Sequence, residues 1–249
     1  MESSTMPVEY VHCTSNPELS VVVPSVPAHD ASATAGRLIG QTVDCSYEVL
    51  LVNDATLDRS AARNAGLRTA AAPVVALTDD DCLPPLGWLA NVWAAFEADP
   101  TLVCLEGPIY GGCRDFGPRH YVGCNLAVDR AEALGVGGFR SAFSEWREDT
   151  EFGWRMERDA SGSCRYDGTV RMCHPSVPRT AFKREYERRL RREYPERYAT
   201  VMNATLRRRL YREARAVGLT QPMQRARNVG RSVLRSIRGT IRSGNVTGD

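Results

Sequence analysis

The sequence predicts an α/β protein: a mostly parallel central sheet covered by helices, followed by an arginine-rich helical C-terminal extension. Three observations carry this reading. Short valine-rich apolar runs alternate with segments of helical composition, as strands do when crossover helices join them. Three of those runs end directly in polar residues, at Pro24–Ser25, Asn53–Asp54 and Asp79–Asp81. In a parallel sheet those ends converge on one rim, where ligands bind. Finally, charge is split along the chain. Residues 1–174 hold 13 basic against 24 acidic residues, a net −11, and residues 175–249 hold 19 against 6, a net +13. The 249 residues suffice for one large domain and an appendage, with 43% hydrophobic and 25% charged residues, an ordinary globular balance.

The elements follow in order. "ELSVVVPSVP" reads as a buried strand stopped by Pro24 and Pro27. "DASATAGRLIGQ" reads as a short helix capped by Asp30 or Ser32. "YEVLLVND" is a second strand, and "SAARNAGLRTAAA" has helical composition before the third strand, "VVALT". Pro84 and Pro85 suit the first turn of a helix running through Trp88, Leu89, Trp93 and Phe96. "LVCLEGPI", "YVGCNLAV" and "TVRMCH" read as further strands, with "RAEALG" and "WREDTEFGWRMERDA" as helices between them. On the second of these, Asp149, Phe152 and Met156 share the side that faces the protein, and Glu151 can pair with Arg155 one turn on.

The triple aspartate is the unusual feature. Three adjacent carboxylates at the end of a core strand repel one another unless water or a cation answers them. A solvated turn is one explanation. A hard divalent cation, Mg²⁺ or Mn²⁺, is the better one, since such ions take carboxylate oxygens and complete their shell with substrate phosphates. A phosphatase of the DxDxT type would need a threonine where Leu83 stands. The eight cysteines form no CxxC pair and read as reduced core thiols, with a structural zinc site as the alternative.

Together "SVVVPS", "YEVLLVND", "ARNAGL", "ALTDDDCLPPLGWL", "GCNLAVDRAEALGVGGF" and "REDTEFGWRM" resemble family 2 glycosyltransferases, inverting enzymes with the Rossmann-like GT-A fold. The resemblance spans roughly residues 19–175 and implies a GT-A domain over residues 1–175. Its nucleotide-binding half would run over about 19–110 and its acceptor and base half over about 111–175, with residues 176–249 as the basic extension. It implies that Asp79-Asp80-Asp81 is the DxD signature. Asp79 would lean toward the donor ribose or the metal, Asp81 would bind the metal, and Asp80 could share either task. Pro24, Ser25 and Asp54 would line the base pocket, with Arg63 near the base or diphosphate. "REDTEFG" resembles the ED motif, which makes Asp149 the catalytic base. Glu148 would favour the helix N-terminus, and Glu151 would orient the acceptor sugar. His174, at a strand end, is either a third metal ligand or a hydrogen-bonded polar residue.

Two departures stand out. Asp54 and Arg63 lie closer together than is usual in the family, which implies a shortened nucleotide-binding half. "PSVP" also replaces the commoner aromatic-asparagine turn after the first strand.

The resulting expectation is a metal-dependent inverting transferase, using Mg²⁺ or Mn²⁺, that moves a sugar from a nucleotide-diphosphate donor to a hydroxyl of a glycan or lipid-linked acceptor. A sugar-nucleotide-forming nucleotidyltransferase would bring a Gly-rich basic first loop, which "PSVPAHD" is not. A nucleic-acid-binding protein would use the arginine tail, yet no base-reading module accompanies it, so no nucleic acid partner is expected. "MESSTMPVEYVHC" has neither a cationic nor an apolar region, which argues against a signal peptide and for a cytoplasmic protein. In "RNVGRSVLRSIRGTIRS", Val229, Val233, Ile237 and Ile241 recur every four residues opposite Arg231, Arg235, Arg238 and Arg242. Such a helix either packs on the domain or lies on an anionic membrane surface at the inner face of the cell membrane.

Overall fold

The structure is a computed structural model that describes residues 8–112, 117–175, 183–206 and 210. The chain forms two compact units: Met1–Arg179 together with Glu185–Glu193, and Thr180–Arg184 together with Tyr194–Asp249. The tail segment 227–243 and Cys113 lie outside the described residues.

The first unit is built on a seven-stranded sheet. Its strands are β1 (Val8–Cys13), β2 (Leu19–Ser25), β3 (Tyr47–Asn53), β4 (Val74–Leu77), β5 (Leu102–Glu106), β7 (Leu126–Asp129) and β8 (Ser163–Tyr166), ordered β1-β3-β2-β4-β7-β5-β8. β6 (Ile109–Gly111) and β9 (Met172–His174) form a separate parallel pair. β2 is parallel to both β3 and β4, and only Pro24 within it is not buried. Burial on both faces is why this strand reads as a continuous apolar run rather than an alternating one. β7 runs antiparallel to both β4 and β5, and β8 then runs parallel to β5. The parallel character is thus concentrated in β3-β2-β4, where Ser25 pairs with Asn53 and Val22 with Leu77. The three strand ends meet at one rim, as their apolar lengths imply.

Helices cover this sheet: α1 (Ser32–Ile39), α2 (Arg59–Thr69), α3 (Trp88–Ala98), α4 (Arg130–Gly135) and α5 (Glu148–Asp159). α2 starts on Asp58, whose carboxylate accepts the Ala61 N–H at 2.8 Å. It then packs so closely on β2 that a Cβ at Gly66 would lie 2.2 Å from Val22. α1 differs slightly from expectation. Ala31 is its cap residue, and Asp30 accepts the Ser32 N–H at 3.0 Å from just outside. Pro84 and Pro85 likewise precede α3 rather than opening it; the Trp88 N–H donates to the Pro85 carbonyl at 3.0 Å to start the helix. The core joins Leu19, Val21 and Val49 to Trp88, Leu89 and Val92 across this layer. α6 (Arg184–Glu193), counted in the basic extension on sequence grounds, contributes Glu185–Glu193 to the first unit, where Leu190 is fully buried. The second unit contains the short helix α7 (Pro195–Arg197) and a π-helical turn, Tyr198–Met202. No helix among the described residues is long and apolar enough to cross a membrane.

Candidate active site

The triple aspartate leaves β4 in a loop pinned from two sides. From α1, the Thr34 hydroxyl reaches the carbonyls of Asp80 and Cys82 at 2.6 and 2.7 Å. From β9, the Cys173 carbonyl accepts the Leu83 N–H at 2.8 Å. That second contact brings the next residue, His174, beside the aspartates. Its Nε2 lies 3.7 Å from Asp81 Oδ1, and one donor atom from each of Asp79, Asp81 and His174 falls within a 4.8 Å cluster. His174 Nδ1 lies 2.7 Å from the Pro175 carbonyl. A carbonyl only accepts, so Nδ1 carries a proton, and Nε2 is the ring nitrogen that would ligate a cation held by the cluster. Partial burial and the neighbouring aspartates push the Asp81 carboxyl above its ordinary range, against the pull of His174. The donor set therefore fits a divalent cation: two carboxylates and one imidazole, with an electrostatic conflict that positive charge relieves.

Each aspartate has its own partner. Asp80 accepts from the Ser25 hydroxyl at 2.6 Å and lies 3.0 Å from His29 Nδ1, which ties the end of β2 to the loop. Asp79 accepts from Arg63 Nη2 at 2.9 Å. Arg63 is 3% exposed and its Nη1 donates to Glu148 at 3.0 Å, so it is an interior residue and not an arginine on the helix surface. Burial works against its charge, but Asp79, Glu148 and Asp149 outweigh that and hold the guanidinium firmly protonated. Arg63 Nε, also buried, makes no hydrogen bond.

α5 supplies the opposite wall. Asp149 is half-buried in its first turn. Its Oδ2 accepts the Gly123 N–H at 2.9 Å and its Oδ1 the Thr150 N–H at 2.7 Å. These bonds fix the carboxylate plane beside Arg63: a Cβ at Gly123 would lie 2.7 Å from Arg63 Nη2 and 3.3 Å from the Asp149 Cβ. Glu148 lies in the first turn of α5, as expected of a carboxylate at the helix N-terminus, but it is buried, and burial with the Asp149 charge raises its carboxyl above the ordinary value.

Glu151 requires a correction. It has no exposed surface, and its carboxylate is taken by Arg140 at 3.1 Å and by Arg155 at 3.0 Å. The expected pairing with Arg155 is present, but a residue so enclosed anchors α5 and does not face an acceptor sugar. Trp146 and Trp154 are also core residues, their indole N–H groups donating to Glu187 and to the Arg119 carbonyl. Asp54 ends β3 in a turn, its Oδ1 accepting from the Thr56 N–H and hydroxyl at 2.7 Å each, and those bonds hold its carboxyl below the ordinary range. Pro24 pairs with Val52 at the same rim. Sequence reasoning missed Gly123 and Thr34. A glycine interrupting the apolar run "YVGCNLAV" was the available signal for the first; nothing local marked the second.

A family profile described as Glycosyl transferase family 2 matches residues 47–214. A search of characterised protein sequences found no match. Among solved structures, Staphylococcus aureus TarS (residues 1–349) in complex with UDP-GlcNAc superposes with a TM-score of 0.59 at 12% identity, covering 74% of this chain and 73% of TarS. GalNAc-T7 with UDP, GalNAc and Mn²⁺ gives 0.55 at 14% identity, covering 75% of this chain and 51% of that one. The mannosyltransferase PcManGT from Pyrobaculum calidifontis, in complex with GDP-Man and Mn²⁺, gives 0.49 at 18% identity over 72% of this chain and 61% of its own. The chain therefore spans between half and two thirds of the last two proteins. At these identities the first two similarities establish the GT-A fold.

Proposed function

The chain belongs to glycosyl transferase family 2, and on that premise we propose that it moves a sugar, with inversion, from a nucleotide-diphosphate donor to an acceptor hydroxyl. The observation that carries the proposal is the convergence of two elements on Arg63: the aspartate loop through Asp79, and the start of α5 through Glu148 and its neighbour Asp149. Inverting displacement needs two opposed walls, one neutralising the departing nucleotide and one taking a proton from the attacking hydroxyl.

Asp79, Asp81 and His174 would hold the divalent cation. When bound, that cation neutralises the diphosphate as it leaves. Ser25 and Asp80 fix the loop over the base pocket, and Asp54 keeps Oδ2 for a base N–H while Thr56 engages Oδ1. Asp149 accepts the acceptor's proton. Its two backbone hydrogen bonds orient the carboxylate toward the incoming hydroxyl. The GT-A structures solved with Mn²⁺ support a metal-dependent reading. A glycan or lipid-linked acceptor is the remaining part of the proposal, with the arginine tail meeting an anionic membrane surface.

The test is a screen of nucleotide sugars for stabilisation and turnover with Mn²⁺ or Mg²⁺. One nucleotide diphosphate should raise the melting temperature only with metal present, and Asp81→Asn should abolish that shift together with transfer. Full transfer in EDTA would refute the metal assignment. Vesicle sedimentation of the full chain against one truncated after Leu219 tests the membrane clause: salt-sensitive binding lost on truncation supports it.

A further inference from the structure

His174 borders a second donor set that the transfer chemistry leaves unused. The Sγ atoms of Cys82 and Cys124 and a ring nitrogen of His174 lie within 4.8 Å of one another. Both cysteines are free thiols, 0% and 1% exposed. Cys82 directly follows Asp81, and Cys124 follows the glycine whose N–H holds Asp149. One thiol thus belongs to the aspartate loop and the other to the segment that holds Asp149.

The donor chemistry of this set differs from that of the aspartates. Two sulfurs and an imidazole suit Zn²⁺ and its softer analogue Cd²⁺, whereas carboxylates suit Mg²⁺ and Mn²⁺. Zinc bonds of about 2.3 Å to sulfur and about 2.0–2.1 Å to nitrogen put the donors of a tetrahedral shell about 3.5–3.8 Å apart. The 4.8 Å limit on the donor separations is about 1 Å wider than that spacing. The same imidazole also belongs to the Asp79–Asp81 set, and its Nδ1–H is engaged by the Pro175 carbonyl at 2.7 Å. A ring nitrogen gives its lone pair to one cation at a time, so the two shells draw on a shared ligand.

We infer that Cys82, Cys124 and His174 form a site for a thiophilic divalent cation, Zn²⁺ or Cd²⁺, which competes with the Asp79–Asp81 pair for His174. The fourth position falls to water or a neighbouring carboxylate. A cation held there withdraws the imidazole from the acidic set, so the chain's response to metals divides by softness: Mn²⁺ and Mg²⁺ support donor binding, and Zn²⁺ and Cd²⁺ oppose it. The competition rests on His174 serving the catalytic cation as proposed above; the binding itself does not.

The experiment is a Cd²⁺ titration of the metal-free full chain, followed by thiolate-to-metal charge-transfer absorbance. The wild-type band should saturate at one equivalent, vanish in Cys82→Ser and in Cys124→Ser, and persist in Cys164→Ser. Should a serine variant fail to fold, cadmium NMR of the wild-type chain reads the shell directly, with a shift belonging to two sulfurs and one nitrogen. A band that both variants retain, or an all-oxygen cadmium shift, overturns the site. With the site established, Cd²⁺ should weaken Mn²⁺-dependent nucleotide-diphosphate binding at least tenfold in the wild type and leave Cys124→Ser unaffected. If the band behaves as stated but nucleotide binding does not weaken, the thiol site stands and the assignment of His174 to the catalytic cation falls.

Discussion

Arg63 Nη2 donates to Asp79 at 2.9 Å inside the protein, where the arginine is 3% exposed. Its other terminal nitrogen holds Glu148 at 3.0 Å, so one guanidinium clamps two acidic motifs that are far apart in sequence. The clamp sets the distance between the metal-side loop and the base-side helix. It also explains how two carboxylate-rich segments can approach without mutual repulsion.

Removing that clamp should be costly. Arg63→Ala leaves Glu148 buried without its cation, which typically destabilises a protein by about 3–5 kcal/mol. Urea unfolding should show this loss, with part of it recovered in the Arg63→Ala/Glu148→Gln double variant. Arg63→Lys keeps the charge but lacks the fork that reaches both carboxylates, so it should fall between the two.

Glu148 gives a pH signature. Burial and the Asp149 charge raise its carboxyl above the ordinary value of 4.5, with Arg63 offsetting part of the shift. The folded state then holds the proton more tightly than the unfolded chain does. Its contribution to stability is full below pH 4.5 and is lost as pH rises through the raised folded value. Glu148→Gln mimics the protonated form, so its stability relative to the wild type should increase with pH across that window. Parallel pH profiles from urea midpoints would contradict the assignment.

Asp149→Asn keeps the shape of the side chain and removes the base. Transfer should fall by about 10²–10⁴-fold while nucleotide binding stays close to wild type; the amide can accept only one of the two backbone N–H groups, so the melting temperature should fall modestly. Transfer within a few-fold of wild type would move the base elsewhere. Glu151→Ala is the contrast: it removes a buried carboxylate from Arg140 and Arg155, so any loss of transfer should track lost stability.

Gly123→Ala tests the geometry around the base without replacing a charged group. The new Cβ would meet Arg63 Nη2 at 2.7 Å and crowd Asp149 at 3.3 Å. Arg63 has little room to retreat, so the Asp149 hydrogen bond should lengthen. Turnover should drop at least tenfold with a smaller change in donor affinity, read as a split between kcat and KM.

The sequence by itself determined the strands β2, β3 and β4, because each is an apolar run buried on both faces and terminated by polar residues. It also determined that their ends share a rim, which parallel pairing enforces. It marked Asp79–Asp81 through the cost of adjacent charges, and the ED and DxD segments through their resemblance to a known family. The edge strands β1 and β8 were not legible: "VEYVHC" and "SCRY" have mostly partly exposed or exposed residues and little periodicity, so pairing with a neighbour decides their conformation. Nor could the sequence show which carboxylates face solvent. Glu148, Asp149 and Glu151 lie within one helical turn, and their environments diverge because α5 packs Glu151 against Arg140, turns Glu148 onto Arg63 and leaves Asp149 at the rim. Only the tertiary structure decided that, since ion pairs between distant segments depend on where packing brings the chain, and the energy of a charge depends on the dielectric around it.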